Sequence, residues 1–99
     1  MKEITTKDLA KKLKDEENVN IIDVREDDEV AQGKIPGATH IPLGQIPERL
    51  NEIDKDKHHY MVCRSGGRSG KASEFLKEQG YDVTNVAGGM LDWKDEVEK

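Results

Sequence analysis

Cysteine is almost missing from this chain of 99 residues: Cys63 stands alone. A lone thiol closes no intramolecular disulfide and assembles no thiolate metal site, which leaves it two roles, buried filler or nucleophile. Long apolar runs are missing too. None approaches the roughly 20 residues that span a bilayer. The start, Met1 to Leu13, is charged from Lys2 onward with no signal-peptide core, so the chain reads as a cytoplasmic protein without a membrane partner. An excess of basic charge is absent: 16 Lys and Arg face 21 Asp and Glu, a net charge of −5. Phosphate neutralisation needs a net basic face, so a general nucleic-acid binder is excluded. Repeats, low-complexity tracts and linker-like Pro/Gly/Ser stretches are absent as well, and one uninterrupted domain over residues 1–99 is expected.

What is present suffices for a modest core. Leu, Ile, Val and Phe amount to 21 residues, just above the share of about 20% that warns of disorder. Charges of both signs are interleaved, as on a solvated globular surface and unlike a self-repelling tail. A domain of this size buries roughly two thirds of the surface its unfolded chain exposes, without disulfides or a structural metal.

The punctuation of the chain predicts alternating helices and strands. Thr5 or Thr6 caps a helix whose apolar positions Leu9, Ala10 and Leu13 share a face, with Asp8 toward its positive end. Asn18 and Asn20 bracket the exit into Ile21 to Val24, a short apolar run of the buried-strand kind. A short helix is predicted over Asp27 to Gln32, opened by acids and stopped by Gly33. Gly33 to Pro42 reads as a loop passing into a brief strand at Thr39 to Ile41. Ile46, Leu50 and Ile53 stand at i, i+4 and i+7, with Pro47 in the first turn, and predict an amphipathic helix. Tyr60 to Val62 is a strand ending at Cys63, and Arg68 to Gln79 is a helix closed by Gly80. Val83 to Val86 is a last strand, and Met90 to Val97, after a turn at Gly88 and Gly89, a final helix. Such alternation implies parallel strands joined by right-handed crossovers, hence an α/β layered fold. Ligands of these sheets bind beyond the carboxyl ends of the strands, where Asp23 to Arg25, Cys63, and Gly88 with Gly89 should gather.

The segment Cys63-Arg64-Ser65-Gly66-Gly67-Arg68-Ser69 is the one strong motif, joining a nucleophile, two small flexible residues and two cations between strand and helix. Gly66 and Gly67 let the backbone curl with its N–H groups inward, an anion-binding nest at a helix N-terminus. A sulfur at the mouth of that nest feels the positive helix end and the guanidinium groups, and all of these favour the reactive thiolate. The chain has twelve Lys but only four Arg, and two of the four lie within five residues of the only cysteine. Arginine is the choice where planar, bidentate recognition of an oxyanion matters. A filler cysteine needs neither paired glycines nor paired arginines after it.

Four ordered motifs carry a family resemblance over nearly the whole chain: Ile-Ile-Asp-Val-Arg-Glu (21–26), Gly-Lys-Ile-Pro-Gly-Ala (33–38) with Ile41-Pro42, the loop 63–69, and Gly-Gly-Met-Leu-Asp-Trp (88–93). The chain resembles a single-domain rhodanese-like sulfurtransferase. The resemblance implies a three-layer α/β fold with a central parallel sheet and helices on both faces. It also implies that Cys63 accepts a sulfane sulfur, becomes a persulfide, and passes that sulfur to a nucleophilic acceptor. Lys34 departs from the family, which often has His after this Gly, at a position away from the nucleophile.

The same fold carries phosphatases of the cell-cycle type, and the loop discriminates. Cysteine phosphatases typically place Arg six residues after Cys, whereas here Arg68 is fifth, Ser69 holds the sixth position, and Val62 stands where a His often precedes the Cys. Phosphate-ester cleavage gains from a general acid on the leaving oxygen, while attack on thiosulfate expels sulfite, which needs no such help. Three functions therefore compete. The first is an enzyme with Cys63 as nucleophile, the backbone N–H groups of Arg64, Ser65, Gly66, Gly67, Arg68 and Ser69 as anion cradle, and Arg64 and Arg68 as substrate electrostatics, using no metal and no organic cofactor. Its partners would be a small-molecule sulfur donor and acceptor, with a protein thiol as a further acceptor. The second is a module without turnover, binding a partner or carrying a persulfide, and the third is the phosphatase.

Other residues read as structural. Asp23 and Arg25 flank Val24 at a strand end and are expected behind the loop, Asp23 hydrogen-bonded to backbone or paired with Arg. Adjacent His58 and His59 on a strand point to opposite faces, so they open a strand and are not half a metal site. Trp93, on a helix with Met90 and Val97, reads as core or rim packing. The acidic run Glu26 to Glu29 caps a helix and is otherwise solvated, and Lys11, Lys12 and Lys14 form a wet helix face.

Overall fold

The computed structural model describes residues 1–15 and 18–99. Strands β1 (Glu3–Thr5), β2 (Asn20–Asp23), β3 (Thr39–His40), β4 (His58–Val62) and β5 (Asp82–Ala87) make one sheet in the order β1-β5-β4-β2-β3, with every neighbouring pair parallel. Helices α1 (Thr6–Lys14), α2 (Asp27–Val30) and α3 (Gly67–Glu78) and two 3-10 segments, Leu43–Gln45 and Pro47–Glu52, connect them, and α4 (Gly89–Asp92) follows the last strand. Among the described residues no helix is long and apolar enough to cross a membrane.

The buried strands are apolar on both faces, as a sheet covered on both sides requires. Ile22 and Met61 are paired in register and pack with Ala72 and Leu76 of α3 and with Ile41, Ile46 and Ile53 on one face. Their neighbours Ile21 and Val62 point the other way, to Leu9 of α1, Ile35 and Val86. Helices thus lie on both faces of a central parallel sheet. Each fully buried Leu or Ile in these layers contributes about 1.5–3 kcal/mol of burial. Thr5 is the cap of α1, its Oγ1 accepting from the Asp8 N–H at 3.1 Å. Because all five strands run the same way, the ends of β2, β4 and β5 open on one side of the sheet.

Four expectations are corrected. β1 lies ahead of α1, where the charged start carries no strand pattern; its pairing with β5 and the bond from Asn85 N–H to Lys2 O at 2.9 Å are tertiary in origin. The stretch around Ile46, Leu50 and Ile53 is 3-10 and not an amphipathic α-helix: Arg49 leaves helical geometry at φ −116° and ψ 22°, so Ile46 reaches the core from the first cap and Ile53 from the last. α2 is four residues long, stopping before Ala31. The last helix ends at Asp92, not Val97. Trp93 turns extended and donates from Nε1 to Glu96 O, and Glu98 forms an antiparallel bridge with Lys34 through backbone bonds of 2.9 and 2.8 Å. These strap contacts replace the last helical turn.

Candidate active site

Cys63 follows β4 directly and is 1% exposed, at the floor of the turn into α3. Gly66 makes the turn with φ +103°, a left-handed value that L side chains seldom adopt, and serves as the cap of α3. Its N–H donates to Cys63 Sγ at 3.1 Å. Ser69, in the first turns of α3, places Oγ 3.3 Å from the sulfur and 2.5 Å from Asn85 Oδ1 of β5. Burial pushes the thiol up, while a Ser69 hydroxyl donating to the sulfur and the backbone N–H groups of Ser69, Gly66 and Ser65 pull it down; with all of these donors the balance leaves Cys63 below its ordinary value. Donors converging on one sulfur at a helix start stabilise a thiolate without an adjacent base.

The two arginines separate. Arg68 turns to α2 and grips Glu29 with both terminal nitrogens, at 2.6 and 2.8 Å. The Arg68 guanidinium in turn holds the Glu29 carboxyl down at about 2. Arg64 is exposed, and no group among the described residues pairs with its guanidinium. Ser65 and Gly67 are exposed at the lip, Gly67 as the first residue of α3.

Asp23 and Arg25 form a buried pair: Arg25 Nε lies 3.0 and 3.1 Å from the two Asp23 oxygens, and Nη2 lies 2.8 Å from one of them. Arg25 also donates to Gly33 O at 2.8 Å and to Glu29 O at 3.4 Å. The pair therefore fixes α2, whose Glu29 carries the contact on to Arg68 of the loop. His58 and His59 diverge, to Thr84 Oγ1 at 2.8 Å and Asp54 O at 2.7 Å. Trp93 packs half-buried against the layer under α1.

Three residues join the site that the motif alone did not name for it. Glu29, expected in solvent, is the Arg68 partner. Asn85 bonds Ser69, and an amide among Val83, Thr84 and Val86 in a buried strand was the available signal. Gly89, at φ +56°, lies so close under the loop that a Cβ there would sit 2.4 Å from Cys63 O and 2.6 Å from Arg64 O. The N–H groups of Met90 and Leu91 donate to those same two carbonyls, each at 2.9 Å. The first turn of α4 is a brace for the backbone of Cys63 and Arg64.

The rhodanese-like domain family model matches residues 5–96. The protein YtwF of Bacillus subtilis is 48% identical over 97 residues, covering 98% of this chain and 94% of its own. A sulfurtransferase of Allochromatium vinosum is 44% identical over 92 residues, covering 92% of this chain and 86% of its own. A crystal structure of a rhodanese-like domain protein from Staphylococcus aureus superposes with a TM-score of 0.94 at 47% identity, over 99% of this chain and 97% of that one. With the parallel sheet, the cysteine between β4 and α3 and these matches together, the chain belongs to the rhodanese-like domain family.

Proposed function

We propose that this chain is a sulfurtransferase that moves a sulfane sulfur from thiosulfate or a persulfide donor to a thiophilic acceptor through a persulfide on Cys63. The observation that carries the reading is the convergence of loop N–H groups on a buried thiol with a lowered pKa. The Cys63 thiolate attacks the outer sulfur of the donor; a new S–S bond forms, and the electron pair of the broken one leaves on sulfite or on the donor thiolate. The terminal sulfur then lies in reach of the inward N–H groups. In the second step an acceptor nucleophile, cyanide or a thiol, takes that sulfur, and the pair of the Cys63 S–S bond returns to Cys63. Electrons move only between sulfur centres and the acceptor, so the reaction calls for no metal or organic cofactor.

Sulfurtransferase is also the printed name of the Allochromatium relative. Because Glu29 occupies Arg68, Arg64 is the cation available to an anionic donor, and Arg68 holds the loop to α2. A protein thiol is the further acceptor class, and the cytoplasm its setting. Intact-mass spectrometry of the reduced protein mixed with thiosulfate tests the proposal. Gain of one sulfur atom, removed by reductant, is expected; no gain with any sulfane donor would overturn the reading in favour of a module without turnover.

A further inference from the structure

Asn85 determines where the only proton of the Ser69 hydroxyl points. Its Nδ2 donates to Glu3 Oε2 at 3.2 Å and to Gly66 O at 3.1 Å. Carboxylate and carbonyl have no proton to give, so the amide cannot be turned over without facing two acceptors with a third. Asn85 Oδ1 is thereby held toward Ser69 Oγ, 2.5 Å away. Oxygens at that distance share a proton, and since Oδ1 has none, it comes from Ser69. One proton cannot serve Asn85 and the sulfur together, so while the 2.5 Å contact holds it the lone pairs of Oγ face Cys63 Sγ at 3.3 Å and the pull of a donating hydroxyl on the thiol is withheld.

We propose that Asn85, oriented by Glu3 of β1 and by Gly66, is a positioning residue that turns Ser69 into an acceptor for the Cys63 S–H. Ser69 keeps the proton on the thiol while the backbone N–H groups of the loop favour its release to water. Forming the thiolate costs either the S–H to Ser69 bond or, if the hydroxyl swings to the sulfur, the Ser69 to Asn85 bond. Among the described residues the other charged groups about the site are Arg64 in the loop, Arg68 with Glu29 of α2 and Glu26 before it, the closed Asp23–Arg25 pair at the end of β2, Glu3 on β1 and Asp92 on α4. The variants below leave all of them in place.

This inference deepens the sulfurtransfer reading, yet a thiol titration involves no sulfur donor, so either can fail alone. The thiolate midpoint is read from the pH dependence of iodoacetamide alkylation in wild type, Ser69→Ala, Asn85→Leu and the double variant. Ser69→Ala should lower the midpoint by about half a unit to one unit, the size of one hydrogen bond. Asn85→Leu should lower it as well, because Ser69 becomes free to donate to sulfur. Adding Ser69→Ala to Asn85→Leu should then raise it, a reversal of sign that no merely structural role produces. A midpoint that rises or stays fixed in Ser69→Ala overturns the proposal, and that single variant decides if Asn85→Leu does not fold by circular dichroism.

Discussion

On the proposed reaction the sulfur, the two arginines and Glu29 set what the site does at the scale of single residues. Cys63→Ser should abolish sulfur transfer to cyanide with the fold intact, since a hydroxyl fills nearly the same space but does not accept sulfur; thiocyanate production and circular dichroism check both halves. Arg64→Ala should raise the KM for thiosulfate by about tenfold while leaving a neutral persulfide donor nearly untouched, as loss of a charge-assisted contact to an anion predicts. Arg68→Ala should instead impair both donors alike, because its guanidinium is spent on Glu29. The Glu29 carboxyl, lowered from 4.5 to about 2, gives that brace a defined pH window. A depressed carboxylate pKa contributes stability that is fully present above the unfolded value and is lost as pH falls through the folded one. The difference in urea midpoint between wild type and Glu29→Gln should therefore hold steady from neutral pH down to about 4.5 and disappear by about 2. The loop around Cys63 was legible because it is contiguous: thiol, glycines and cations stand side by side. Glu29 and Asn85 come from other elements, and which acid among Glu26, Asp27, Asp28 and Glu29 meets Arg68 is decided by how α2 packs.

Among the elements, those with long apolar patterns were readable and those held by distant partners were not. α1, α3 and the buried strands β2, β4 and β5 follow their apolar spacing. β1 has one half-buried residue, Ile4, between two exposed ones, too little for a period to show. The second 3-10 segment takes its shape from Pro47 and the kink at Arg49, although its apolar spacing imitates an α-helix. At this scale the start of α4 is the sensitive point. Gly89→Ala places a methyl group against Cys63 O and Arg64 O at a positive φ, so it should cost on the order of 2–4 kcal/mol and displace the nucleophile. Urea unfolding and thiosulfate loading should both fall, whereas Gly67→Ala, with open space around it, should leave the unfolding midpoint nearly unchanged. Inserting a residue between Gly67 and Arg68 enters the first turn of α3. It should turn Arg68 away from Glu29 and Ser69 from the sulfur, lowering transfer by roughly a hundredfold, the scale of a misplacement of about 1 Å.

For the whole molecule, the sheet order brings the ends of β2, β4 and β5 together while the chain after α4 runs back as a strap. Val97 lies against Gly33, where a Cβ would come within 2.9 Å of Val97 Cγ2, and Glu98 engages Lys34 Nζ and the Gly37 N–H. Gly33 O also accepts from Arg25, so the strap and the buried ion pair meet on one residue. Removing residues 97–99 should lower the urea midpoint, followed by the emission of Trp93, and leave the far-ultraviolet dichroism of the folded state nearly unchanged. Alternation of strand and helix made the parallel architecture legible; the strap was not, because its bonds join residues 64 positions apart. The burial of Cys63 separates two faces of the proposed cycle. At 1% exposure the empty thiol is sunk beneath the surface. On the proposed reaction an added sulfur stands about 2 Å further along the path the donor took. A large acceptor arriving at an unloaded molecule meets a floor without a reactive atom, and at a loaded one it meets the cargo first, so the depth of one atom reports whether the molecule is full.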